Sequence, residues 1–247
     1  MNKIEFLDAL SVAREISPAS TDPYSLCRLL GIEVIESKPM HKDGYLVCED
    51  GYKLIFVSSN VKNRHRRKFI VSHEIGHFML HRNQLYCCSN VSEGGTSRVN
   101  SSAQEQEANL FASEYLLPQS ELLKLLPNVP VQFSDISNIA QHFDISMTFS
   151  AIKAVESSKT ESEILLCYED QNLKWFASGD QSLRPNKIPK VAPMDFSVTR
   201  DKSDITGVWE TLYDGNVHQE IFKPIRNQHL VLLSGERLNE EEGYYEF

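Results

Sequence analysis

The amino-acid sequence predicts an α+β protein in three parts: mixed helix and strand over residues 1–118, a helical segment over 119–158, and a small β-rich unit over 159–247. Three observations carry this. Helical and strand periodicities alternate through the first part, two short helical patterns follow one another on either side of "FDIS", and beyond residue 160 the chain breaks into β-branched and aromatic runs separated by turn residues. A chain of 247 residues can bury a substantial core.

In chain order, "IEFLDALSVAREI" and "DPYSLCRLLG" are helical, the second with Asp22 as N-cap, Pro23 in the first turn and Gly31 as the stop. Residues 32–37, 44–50 and 52–59 follow as short strands, with Asp50-Gly51 as a hairpin signal. The basic run "KNRHRRK", residues 62–68, is expected to be a solvated turn leading into a helix over about residues 66–82. Residues 83–103, dense in Ser, Asn and Gly, keep no period and are expected to form a long mobile loop. "QEQEANLFASEYLLP" restores helical spacing, with Ala108, Phe111, Ala112 and Tyr115 on one stripe and Pro118 ending it.

Residues 133–156 have the cadence of a helix-turn-helix. The second helix of that pair offers only Lys153 as a cation, so a structural helical hairpin is expected rather than a DNA reader. The strand-like runs "ILLCYED", "LKWFASG", "GVWETLY", "VHQEIFK" and "HLVLLSGE", with Asp214-Gly215 among their turn signals, predict a small antiparallel unit. The Pro-bearing stretch 183–193 interrupts them.

Composition narrows function. With 41% hydrophobic and 24% charged residues the chain reads as an ordinary soluble protein, and a net charge of −9 argues against direct nucleic-acid binding. No apolar run approaches the length of a membrane span, and the N-terminus lacks the apolar segment of a secretory signal, so a cytoplasmic setting is expected. The cysteines, Cys27, Cys48, Cys87, Cys88 and Cys167, are odd in number and irregularly spaced, which fits neither a disulfide framework nor a thiolate zinc site.

The chemistry concentrates in "KFIVSHEIGHFMLHRN", where His73-Glu74-Ile75-Gly76-His77 matches H-E-x-x-H. Residues i and i+4 of a helix project from nearly the same side, so His73 and His77 can share one Zn2+ ion. Glu74 is placed to take the proton of an attacking water and deliver it to the leaving amine. Gly76 costs helix stability unless something must approach closely. Catalytic zinc takes three protein ligands. Glu105 and Glu107 flank the stripe of the next helix on opposite sides, and the spacing does not choose between them. His81, a further turn along, is expected either to support the ligands from behind or to lie on the polar face, with a substrate contact as the lesser alternative. An oxyanion stabiliser is needed, for which Tyr86, Tyr115 and His81 are candidates.

The runs "YSLCRLLGIEVIES", "YKLIFVSSNVKNRHRRKFIVSHEIGHFMLH" and "EQEANLFASEYLLP", in that order, resemble the ImmA/IrrE-type metallopeptidases, strongly over residues 20–118 and loosely to about 156. The resemblance implies a zincin-like fold for the first part, zinc as cofactor, and a third ligand in the glutamate directly before the Ala-Asn pair, which is Glu107. It also implies a protein substrate: some members cut a helix-turn-helix repressor and so switch on stress-response or mobile-element genes. Others stand beside DNA-binding partners without demonstrated cleavage. The expectation is therefore a zinc endopeptidase making limited cuts in a DNA-binding repressor. The alternative is a metal-binding regulatory or toxin-antitoxin component with little or no peptidase activity. The long loop carrying "CCSNVSEGG" departs from the family pattern and bears on substrate choice.

Overall fold

Two sheets of different construction organise the chain. The computed structural model describes residues 3–17, 21–49, 51–81, 103–180, 182–193, 208–225 and 227–238. Among these residues are seven α-helices and two sheets. The chain divides into two compact units, Met1–Leu122 with Gln141–Ser146, and Leu123–Ala140 with Met147–Phe247. No described helix is long and apolar enough to cross a membrane.

The first unit opens with α1 (Lys3–Ile16), which buries Phe6, Ala9, Leu10 and Ala13 at helical spacing. In α2 (Pro23–Leu30) the capping is as the sequence predicts. The Asp22 carboxylate accepts from Ser25 N–H and Oγ at 3.0 and 2.7 Å, and Gly31 closes the helix at φ 66°. Strands β1 (Glu33–Ser37), β2 (Gly44–Glu49) and β3 (Tyr52–Ser58) form a sheet of order β1-β3-β2, with β1 parallel and β2 antiparallel to β3. Glu49 pairs with Tyr52, which leaves a two-residue hairpin with Gly51 at φ 83°. The sheet's central strand buries Ile55 and Val57, and the next helix, α3 (Arg64–Leu80), buries Phe69, Ile70, Val71 and Ile75.

The basic run is not a solvated turn. Helix α3 begins within it, capped by Asn63, whose side-chain oxygen accepts from His65 and Arg66 N–H at 2.9 and 3.1 Å. Arg64, His65 and Lys68 all converge on Asp144, Arg66 pairs with Asp43, and Arg67 pairs with Glu36 at 2.7 Å. Each cation of these two turns thus meets an acid. Helix α4 (Ala103–Leu116) presents the predicted stripe, with Ala108, Phe111, Ala112 and Tyr115 buried. The loop expected over residues 83–103, with Cys87 and Cys88, lies outside the described residues up to position 102. Cys27 and Cys167 are buried and Cys48 is exposed, all three as free thiols.

The second unit takes in most of α6 (Phe133–Phe143), all of α7 (Met147–Glu156), and the antiparallel sheet. The boundary between units also passes through α5 (Gln119–Leu125). The sheet contains β4 (Ile164–Glu169), β5 (Asn172–Ser178), β6 (Tyr213–Ile225) and β7 (Gln228–Arg237) in the order β5-β4-β7-β6. Strand β4 is buried on both faces. Ile164, Leu166 and Tyr168 join Trp209, Tyr213, Val231 and Leu233 in one apolar cluster, while α7 packs on the same strand. The buried Glu163 ties this core together: it accepts from Val131 N–H at 2.7 Å, Ser158 Oγ at 2.8 Å and Thr160 Oγ1 at 2.6 Å. Both tryptophans of the chain, Trp175 on β5 and Trp209, belong to this unit.

Two expectations fail here for local reasons. Residues 208–212 of "GVWETLY" are not a strand: Leu212 and Tyr213 N–H both bond back to the Trp209 carbonyl, and the buried indole donates to Gln219 Oε1 at 2.8 Å. Asp214-Gly215 is not an inter-strand turn. Strand β6 runs through it, with Gly215 at φ 69° inside a bulge between Asp214 and Val217.

Candidate metal centre

His73, Glu74 and His77 are completely buried on α3. The four-residue spacing brings the two imidazoles edge to face, with ring centroids 4.7 Å apart and the Nε2 atoms 3.1 Å apart. The carboxylate of Glu105 on α4 completes the group, with one oxygen 3.3 Å from His73 Nε2 and the other 3.6 Å from His77 Nε2. One ligand atom from each of these residues lies within 4.8 Å of the others. Donors ~2.0–2.2 Å from a tetrahedral zinc stand ~3.3–3.6 Å from one another. The two imidazole–carboxylate separations fall in that range and the Nε2–Nε2 separation is slightly shorter, so the donor set of two imidazole nitrogens and a carboxylate fits that ion. Burial first, and the neighbouring His73 second, pushes His77 down to about 3, so its imidazole is neutral, the form that ligates.

The packing of α3 on α4 explains why Glu105 arrives here. A Cβ on Gly76 would lie 3.1 Å from the Ala108 Cα and carbonyl oxygen and 3.2 Å from Phe111 Cβ, so the helices meet backbone to backbone at this glycine. They run antiparallel along the contact: His73 meets Asn109, and one turn forward His77 meets Glu105, one turn back. The Asn109 Oδ1 lies 2.9 Å from His73 Nδ1. That oxygen only accepts, so His73 carries its proton on Nδ1 and turns the lone pair of Nε2 toward the group.

The structure does not bring Glu107, the ligand implied by resemblance, to the histidine pair. Its Oε2 stands 2.9 Å from His81 Nε2, while His81 Nδ1 stands 3.0 Å from His77 Nδ1. Residues 105 and 107 are two apart on one helix and therefore face different neighbours. Of the two places expected for His81, the structure takes the one behind the ligands: the ring stands against His77 and not on the polar face. Tyr115 is not aimed at the group: it lies in the α4 core stripe, stacked on Phe111 with centroids 6.1 Å apart. Burial pushes its hydroxyl up to about 12, against a hydrogen bond with Ser17. Tyr86 lies outside the described residues.

Two contributors escaped the sequence reading. One is Asn109, whose four-residue distance from Glu105 repeats the spacing of His73 and His77. The other is Gly44, at the start of the edge strand β2. A Cβ there would fall 2.5 Å from Ile70 Cγ2, 3.1 Å from the Phe56 carbonyl oxygen and 3.5 Å from Glu74 Oε1, so this glycine lets β2 pack closely against α3 beside Glu74. No periodicity marks such a glycine.

Comparison with known proteins places these features. A profile of the IrrE N-terminal-like domain matches residues 27–154, which include every member of the group. The metallopeptidase ImmA of Bacillus subtilis (strain 168) is 27% identical over 125 residues, 49% of this chain and 68% of its own. Among solved structures, a Mycobacterium tuberculosis transcriptional regulator superposes with a TM-score of 0.52 over 94% of this chain and 88% of its own. At 12% identity that likeness concerns the fold alone.

Proposed function

Because the chain belongs to the ImmA/IrrE family, the family of the IrrE N-terminal-like domain, we propose that it is a zinc-dependent endopeptidase making limited cuts in a protein substrate. The observation that carries this reading is the group formed by the buried His73 and His77 with the partly buried Glu105, and the buried Glu74 carboxylate on the helix of the two histidines. In this reading His73 and His77 hold the ion through Nε2 and Glu105 holds it through its carboxylate, while Glu107 is not a ligand. When bound, zinc supplies Lewis acidity toward a carbonyl and brings the pKa of a water close to neutrality. Glu74 takes the proton of the attacking water and passes it to the leaving amine nitrogen. Asn109 keeps the His73 ring in its ligating orientation, and Gly44 lets β2 approach α3 closely beside the Glu74 carboxylate.

We assign the zincin-like fold and the chemistry to residues 1–118, the helix-turn-helix-like pair to 119–158, and recognition of substrate or signal to 159–247. The substrate class is the helix-turn-helix repressor, as the family resemblance implies, and the setting is cytoplasmic. The test uses the full chain and a helix-turn-helix repressor encoded beside it. Glu74→Gln should retain one zinc per chain and slow cleavage by on the order of 10²–10⁴. Undiminished cleavage by the variant removes Glu74 from the chemistry. A wild-type chain purified without chelator and holding no zinc removes the metal reading altogether.

A further inference from the structure

A histidine that ligates through Nε2 carries its proton on Nδ1, and a buried N–H requires an acceptor. For His73 the acceptor is the Asn109 side-chain oxygen. For His77 it is a second imidazole, and this determines where the next proton sits. The Nδ1 atoms of His77 and His81 are 3.0 Å apart, so if His77 donates, His81 must present a lone pair there and hold its own proton on Nε2. That Nε2 is 2.9 Å from Glu107 Oε2, and a carboxylate accepts. The opposite sense fails twice: it places the His77 proton on the ligating Nε2 and turns a bare His81 nitrogen toward a carboxylate.

We infer that His81 and Glu107 are positioning residues, a hydrogen-bonded chain from Glu107 through His81 that sets the tautomer and ring orientation of His77; the inference rests on the metal reading above. The shielding of the chain supports it, since the His81 and Glu107 side chains are only 7% and 21% exposed and water substitutes poorly for either contact. His81 is the C-cap of α3, with a backbone at φ −127° and ψ 37°, so the helix ends where this ring meets His77. The two acids of "EQE" thus divide the labour: Glu105 faces the metal position and Glu107 steadies one of its ligands from behind.

The test needs no substrate. In the zinc-loaded wild-type chain with isotope-labelled histidine, two-bond proton–nitrogen correlation spectra should show His77 protonated at Nδ1 and His81 at Nε2. Glu107→Ala and His81→Phe should each raise the zinc dissociation constant, measured by chelator competition, about 10- to 100-fold with one zinc still bound at saturation. Glu107→Gln, which keeps a carbonyl acceptor, should recover most of the loss. The wild-type spectrum decides even if a variant does not fold. A His81 proton on Nδ1, or zinc affinity within about twofold of wild type in both variants, overturns the chain of positioning residues alone. So does Glu107→Ala abolishing zinc uptake while Glu105→Ala preserves it, which would make Glu107 the ligand. A wild-type chain that takes up no zinc overturns the metal reading together with it.

Discussion

Gly76 shows how a single missing carbon fixes the distance between the two helices that carry the candidate metal group. Alanine is better than glycine within a helix by ~1 kcal/mol, so on α3 alone Gly76→Ala should stabilise. Its Cβ, however, meets the Ala108 backbone at 3.1 Å, where no side chain can rotate away. Overpacking of this kind costs ~1–3 kcal/mol. We expect a net loss of up to about 2 kcal/mol in urea unfolding, together with weaker zinc binding, because Glu105 and Asn109 move with α4. A variant at least as stable as wild type would refute the close-contact argument. The same residues show what a sequence reveals. H-E-x-x-H identifies His73, Glu74 and His77 because one helix alone determines their relation. The third ligand depends on how a second helix is rotated against the first, which hydrophobic periodicity leaves open between Glu105 and Glu107.

At the scale of elements, the first turns of α3 are secured by acids brought from elsewhere in the same unit. Asp144, itself at φ 50°, receives Arg64, His65 and Lys68. Its hydrogen bond with Lys68, followed by the charges of Lys68 and Arg64, holds its carboxyl below the usual carboxylate range despite the opposing effect of burial. A depressed folded pKa means that the contribution is present above the unfolded value of ~3.9 and is lost as pH falls through the folded one. Asp144→Asn tolerates the left-handed backbone and removes only the charge. With the carboxylate 39% exposed, solvent screening limits the expected destabilisation to about 1 kcal/mol near neutral pH. The gap should close as the medium is acidified from the unfolded value down through the folded one; a gap independent of pH would refute the electrostatic account. The sequence disclosed the capping of α2 at Asp22, Pro23 and Gly31 because those signals are local. It hid the pairings of the basic run, whose partners Asp43, Glu36 and Asp144 lie 23, 31 and 76 or more positions away, and it disguised the Gly215 bulge as a turn because both require the same backbone freedom.

At the scale of the molecule, each unit has its own apolar core, and the candidate metal group belongs entirely to the first. A ligand that binds only the folded state stabilises it by ~2.7 kcal/mol at a hundred times its dissociation constant. Stripping zinc with a chelator should therefore lower the thermal transition of the first unit on the order of 10 °C. The helical signal of the far-ultraviolet spectrum, to which α1 through α4 contribute, would follow it. Indole emission should not, moving by less than about 2 °C, because Trp175 and Trp209 both lie in the second unit. Equal displacement of the two signals would mean that the units unfold as one cooperative block. The placement of those two side chains thus makes the protein its own internal control. With independent unfolding of the units, its fluorescence would be an optical clock for the β-rich half, against which every change in the half that holds the candidate metal group could be timed without attaching a dye.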